Sequence, residues 1–474
     1  MTRKLLFIPA ILLAFAGGCS GSDGNNTPSD TDADSDADSD ADSDADSDAD
    51  PGTACEITPE HIRVTEIDLG QVVNANEGEA DLMPLAISPV SSGGSRIAWM
   101  GNDGAVHITT LDEADQIVEN AMSIPANDFS DFFATSDGGV LLLTRDAAGG
   151  GTLNCGNPAN LCGTPPNPPL PCHDMFMVRF DNTKEMWATQ LTESSSALPP
   201  YSTGPTGKNV VMIWWYAHHG RIASNGKTFA GYYGAAISTS QDGCINIHQG
   251  DRMDIVDGSG NRVNEGFGWG CSHSGYERVL WDASVNRYVT VCQNDAPTDG
   301  LSGKISYAPR NTAIWPVDLW YSNVGDLAAG GQGGYWLTVS NFQEGQPLKN
   351  NGLAQVHLIH FSDSTPDRNI VLTNDASTNS RAPHLAAYGS DGLLAAWEAT
   401  SQTGNISERD AGRTLWVQAR DNTTGAARGP AVSVSGVTGN RYNAFRPFPD
   451  GSVAFTSKGS TNSRVKILRI LPCR

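Results

Sequence analysis

The chain has 474 residues, 39% of them hydrophobic, and a formal charge of −23 from 53 acidic and 30 basic residues. That length allows a sizeable core, while the acidic balance and the lack of any Lys/Arg-rich run exclude nucleic acid as a partner. Arg3 and Lys4 against Asp23 and the 11 aspartates between positions 30 and 50 place −10 in residues 1–50, leaving the rest acidic at −13.

Residues 1–18 have the layout of a secretory signal. Arg3 and Lys4 form a basic start, Leu5 to Phe15 an apolar stretch, and Ala16, Gly17 and Gly18 lead to Cys19. The apolar stretch is 11 residues long, too short for a span that needs about 20. Ala16-Gly17-Gly18-Cys19 resembles the lipobox of bacterial lipoproteins, with Ala16 where that family usually carries Leu. The resemblance implies that Cys19 takes a diacylglyceryl group and becomes the mature N-terminus. Ser20 in place of the retaining Asp implies sorting to the outer membrane, where the lipid anchor makes the membrane a partner. The body would then face the periplasm or the exterior.

Residues 19–54 read as an extended, disordered tether. Asp occupies every even position from 30 to 50, alternating with Ser, Ala and Thr. Such a tract has nothing to bury and repels itself. Cys19 to Cys55 can reach on the order of 120 Å. Tight calcium loops need a Gly at the turn and a closing bidentate Glu; the tract has neither, which favours a spacer over a specific calcium site.

Besides Cys19 there are eight cysteines, Cys55, Cys155, Cys162, Cys172, Cys244, Cys271, Cys292 and Cys473. An even number in an exported chain predicts disulfides. Cys55 and Cys473 bracket the body, so a bridge between them would tie its ends. Cys155, Cys162 and Cys172 fall in a Pro/Gly/Asn-rich insertion at 147–175, where a bridge would supply order. Cys271 is expected to pair with Cys292 or Cys244. No Cys-x-x-Cys occurs, so a structural zinc site has little support.

Residues 55–474 read as one all-β domain. Short Val-, Ile-, Trp- and Tyr-rich runs such as 96–100, 139–143, 278–281, 334–339, 393–397 and 465–471 are bounded by Gly, Asn, Asp, Ser and Pro. Turn signals open at 91, 136, 224, 284, 329, 390 and 449. They are spaced 45–61 residues apart except for one interval of 88 that holds the insertion. The repeat predicts a seven-bladed β-propeller of four-stranded blades. Residues 63–73 are placed beside 465–471 as the strand that closes the ring.

Chemistry-bearing residues concentrate between 213 and 295. Trp214, His218, His219, His248, Asp251, His273 and Asp295 are expected on loops around the funnel mouth, where a metal, sugar or peptide would bind. The stretches His248–Asp251 and Gly270–Ser274 resemble sequences of uncharacterised exported bacterial proteins, a resemblance that implies no activity. His218, His248 and His273 with Asp251 have donors suited to a divalent metal, the only cofactor the residues point to. Gly-x-Ser-x-Gly and phosphate-cradling glycine loops are absent. The expected function is a binding or scaffold module for an envelope protein or polysaccharide. The alternative is a metal-dependent hydrolase or lyase built on His218, His248 and His273.

Overall fold

Short β-branched and aromatic runs separated by tight turns favour antiparallel meanders, and the computed structural model consists of them almost throughout. It describes residues 56–74, 84–146, 173–193, 210–211, 220–241, 244–268, 271, 275–295, 303–308, 312–317, 322–342, 352–362, 365–403 and 412–473. The expected signal segment, tether and Cys-containing insertion lie outside these, as do Cys19, Cys55, Cys155, Cys162, Cys172, Trp214, His218, His219 and His273. All the described residues belong to one unit, Thr53–Arg474.

The chain enters through β1 (Ile62–Asp68). The first sheet holds β2 (Leu85–Pro89), β3 (Ser95–Met100), β4 (Ala105–Leu111) and β5 (Ile117–Pro125). The next holds β6 (Asp128–Thr135), β7 (Gly138–Asp146), β8 (His173–Asp181) and β9 (Glu185–Gln190). It is followed by β10 (Val210–Val211), β11 (Arg221–Ser224), β12 (Thr228–Gln241), β13 (Cys244–Asp257) and β14 (Arg262–Phe267). Then come β15 (Gly275–Asp282), β16 (Arg287–Asn294), β17 (Gly303–Ala308) and β18 (Thr312–Val317). The following sheet is β19 (Asn323–Ala329), β20 (Tyr335–Phe342), β21 (Ala354–Ser362) and β22 (Thr365–Val371). After it lie β23 (Asn379–Tyr388), β24 (Gly392–Thr400), β25 (Thr414–Asp421) and β26 (Val432–Val434). The last sheet joins β27 (Arg446–Pro447), β28 (Val453–Lys458) and β29 (Arg464–Ile470) to β1.

Within the sheets, strand neighbours pair antiparallel. The first strands pack side by side in the closed order β2, β6, β11, β15, β19, β23, β27 and back to β2. This is a β-propeller. Each turn signal read from the sequence joins the first strand of a sheet to its second. The expectation of a seven-bladed propeller needs correction, because six sheets have the regular four-stranded blade form and the sheet of β10–β14 does not. In the sheet of β10–β14, β12 and β13 run 14 residues each. The shorter β11 covers only the first part of β12, at residues 229–232, and β10 pairs further along at 236–237.

The core is divided into slabs between neighbouring sheets. Ala98, Val106 and Ile108 face Phe129, Phe132 and Leu141 across one interface. Ala328, Trp336 and Leu358 face Leu385, Leu393 and Ala395 across another. A strand covered on both faces needs a continuous apolar run, as in β3, buried at every residue. Outermost strands such as β22 are largely exposed.

Closure uses the segment assigned to it from sequence. β1 pairs with β29 from Ile62↔Ile470 to Asp68↔Arg464, and Ile67, Val465 and Ile467 pack against Ile87, Ile97 and Trp99 of the first sheet. Asp115 reinforces the joint from the β4–β5 turn, accepting from Arg63 Nη2 at 2.7 Å and from Arg469 Nε at 3.0 Å.

Candidate functional site

The first strands leave between them a cavity of about 500 Å³. Its wall is mostly apolar, including Phe133, Trp281, Leu327, Leu385 and Phe445. Arg221, Arg278, Asp326 and Arg446 line it, and Asp131 on β6 and His384 on β23 stand beside them as ionic partners, which completes a girdle of one ionisable group from each of six first strands. Arg221 Nε and Arg278 Nε lie 3.2 and 3.4 Å from Asp326 Oδ1. His384 Nδ1 is 3.5 Å from Asp326 Oδ2. Arg446 pairs with Asp131, whose Oδ2 also accepts the Ile222 amide at 2.8 Å.

Burial sets the electrostatics of this girdle, and the neighbours decide the outcome. Burial disfavours the Asp326 carboxylate, but Arg221, His384 and Arg278 outweigh it and hold the carboxyl far below the usual range. Burial, with the Arg221 cation beside it, lowers Arg278 to about 10. Burial also works against Arg446, yet the Asp131 carboxylate raises its pKa. His384 is pushed down by burial, so it is neutral at pH 7. Arg278 also donates to the carbonyls of Gly325, Glu277 and Val324 at 3.1–3.2 Å. The girdle is therefore a set of cross-links as well as a polar floor.

On the upstream side of the girdle, where the first strands begin, the backbone is irregular. β6, β15, β19 and β23 each carry a bulge within two residues of a girdle group. In two of them a residue with a Cβ takes the left-handed region, Tyr276 at φ +59° and Ala382 at φ +46°. At the corresponding place in β19, a Cβ on Gly325 would come within 2.1 Å of Thr338 Oγ1 and 2.6 Å of the Pro383 carbonyl. Bulges and left-handed residues of this kind re-aim side chains and gather at functional sites.

The side chains they aim are polar or aromatic. Tyr276 stacks on Tyr442 with ring centroids 5.8 Å apart and accepts from Asn323 Nδ2 at 2.7 Å. The Arg441 guanidinium lies 4.8 Å over the Tyr442 ring. Glu398 accepts the Gly439 amide at 2.5 Å and pairs with Arg413 at 3.1 Å. Glu277 and Arg381 are buried in the same strand ends. Guanidinium, phenol, amide and carboxylate groups held rigidly on one face provide hydrogen bonds of both senses and flat ring surfaces.

The sequence-predicted residues fall elsewhere or outside the described residues. Asp251 is buried in β13, where its carboxylate accepts the Tyr232 hydroxyl and the Cys271 amide. Asp295 is half-buried after β16, and His248 lies within β13. Asp251, Cys271 and Cys292 have donor atoms within 4.8 Å of one another. The two sulfurs, however, form the Cys271–Cys292 disulfide, so the trio has only a carboxylate to offer a metal in this state. Cys473 is also disulfide-bonded; its expected partner Cys55 lies outside the described residues, and Cys244 falls in β13.

The girdle was missed from sequence, though a signal was present. An ionisable residue stands in a short apolar context a few residues before a turn signal, as in Arg221-Ile-Ala, Arg278-Val-Leu, Asp326-Leu-Ala and His384-Leu-Ala. A charge inside an apolar strand is costly unless paired, so its recurrence marks a common structural level.

No family model matches the chain, and no curated protein does. Solved structures match the chain at low identity. A protein of unknown function from Dyadobacter fermentans is 11% identical with a TM-score of 0.39, covering 87% of this chain and 100% of that one. An α-L-arabinofuranosidase from Fusarium graminearum is 9% identical with a TM-score of 0.38, covering 86% and 97%. The Dos1 propeller is 10% identical with a TM-score of 0.37, covering 86% and 95%.

Proposed function

We propose that the chain is a cell-envelope lipoprotein, anchored in the outer membrane through Cys19, whose propeller serves as a polysaccharide-binding module. In this reading the sheet of β10–β14 completes the ring as a seventh, irregular blade. The Asp-rich segment acts as a spacer, and ligand meets the face where the first strands begin. The observation that carries the reading is the bulged, left-handed backbone there. It sets Tyr276, which stacks on Tyr442 beneath the Arg441 guanidinium, and such strain persists only where the surrounding structure over-determines it.

Binding is favoured over hydrolysis by the state of the girdle carboxylates. A glycosidase needs a carboxylic acid with a raised pKa beside an ionised partner, whereas Asp326 is held ionised by Arg221, His384 and Arg278. Asp131 is locked to Arg446. Titration of the purified full chain with extracted envelope polysaccharide tests the proposal. Saturable binding, weakened about tenfold in Arg441→Gln through loss of a desolvated cation–π and hydrogen-bonding group, is expected. No saturable binding, or cleavage of the polysaccharide, would overturn it.

A further inference from the structure

A second recess lies on the same face, away from the axis. The β22–β23 link leads into a first strand, so the recess beside it opens where the first strands begin. It has a volume of about 450 Å³. Two tryptophans form one side: Trp397 on β24 and Trp416 on β25 are directly opposed partners in the ladder. Opposed residues on adjacent strands project from one face with Cβ atoms about 5 Å apart, so both indoles lie on one side of the recess. Trp397 is buried at 5% exposure among Trp336 and Leu358 while Trp416 is partly exposed, so Trp416 is the ring that a ligand would meet.

The rim is polar, with a single charged side chain among the described residues. Asn374, Ser401 and Thr414 line it with amide and hydroxyl groups. Its one carboxylate, Asp375, is engaged by the Ser377 amide at 2.8 Å and by the Ser377 and Thr378 hydroxyls at 2.6 Å each. An aromatic surface beside amide and hydroxyl groups and one engaged carboxylate matches the apolar face and equatorial hydroxyls of a pyranose ring. Among the described residues that line it there is no cation for a uronate, sulfate or phosphate.

We infer that the Trp397–Trp416 recess is a binding subsite for a neutral hexose or pentose unit of a polysaccharide. The inference rests on the proposed polysaccharide-binding reading but stands on different residues. It assigns the ligand class: a chain with unmodified neutral sugars, held at the axis and again over the β22–β23 link.

Affinity electrophoresis of the full chain through gels containing dextran, laminarin or galactomannan, with polygalacturonate as the acidic contrast, tests this. At least one neutral polysaccharide should retard the wild type. Trp416→Ala should weaken that retardation about tenfold and Trp416→Phe much less. Ser401→Arg fills the exposed rim without touching the core and should also release the protein, so the test stands even where Trp416→Ala fails to fold. Retardation by polygalacturonate alone, or unchanged retardation of folded Trp416→Ala and Ser401→Arg, would overturn the subsite. Loss of binding in Arg441→Gln with none in the recess variants would leave the axial reading standing while removing this one; the reverse result would do the opposite.

Discussion

Asp115 has no solvent exposure and sits at φ +60° in a four-residue turn, yet it joins the two ends of the chain. Its carboxylate takes Arg469 from the last strand and Arg63 from the first. Removing one member of such a buried pair leaves an uncompensated charge. Asp115→Asn should therefore cost about 3–5 kcal/mol, read as a lowered midpoint in urea unfolding; a change within about 0.5 kcal/mol would contradict the closure role. The histidines make a second prediction. Burial lowers the pKa of His173, His357 and His384, so below their ordinary value of about 6.5 the unfolded chain binds more protons than the folded one. Stability is full above that value and falls as pH drops toward the lower folded pKa values. Urea midpoints should be lower at pH 5.5 than at pH 7.5, and His384→Leu should narrow the gap. Equal midpoints at the two pH values would show that these histidines do not charge on unfolding.

Among the elements, first hairpins were the most legible. Their Gly- and Asp-containing turns stand beside apolar runs, because a tight turn between strands buried on both faces allows little else. Another repeat went unread. β4, β8, β13 and β25 are each followed or ended by an aspartate, Asp112, Asp181, Asp257 and Asp421, whose Oδ1 accepts amides two to four residues on. These caps vary in the residues between, so they do not align as text although they share a mechanism. The bulges were illegible for a further reason: one extra residue in a ladder depends on the partner strand, which no local pattern contains. The Cys271–Cys292 disulfide, expected from sequence as one of two pairings, links the segment before β15 to β16 across 21 residues. Cys271→Ser/Cys292→Ser should cost about 2–4 kcal/mol, measured by thermal unfolding without reductant. An unchanged transition would mean that the packing of Tyr232, Met253 and Ile255 around the bridge carries that region alone.

For the whole molecule, the ring architecture was readable because its period is written in turn residues, whereas the polar girdle was not. The sequence drew attention to histidines and tryptophans between 213 and 295. The polar convergence described here instead uses single residues spread from Asp131 to Arg446, brought to one level only by closure of the ring. Closure itself is testable: Ile67→Ala, at the seam between the last and first sheets, should cost about 2–4 kcal/mol and lower the single unfolding transition rather than split it. Polysaccharide is proposed to meet the face where the first strands begin. Hydrogen–deuterium exchange of the full chain with and without saturating polysaccharide tests it most directly. Slowed exchange is expected at 275–278, 323–326, 379–384 and 439–443, with β9 and β22 unchanged. Protection confined to those outer strands, or none at the strand beginnings, would contradict it.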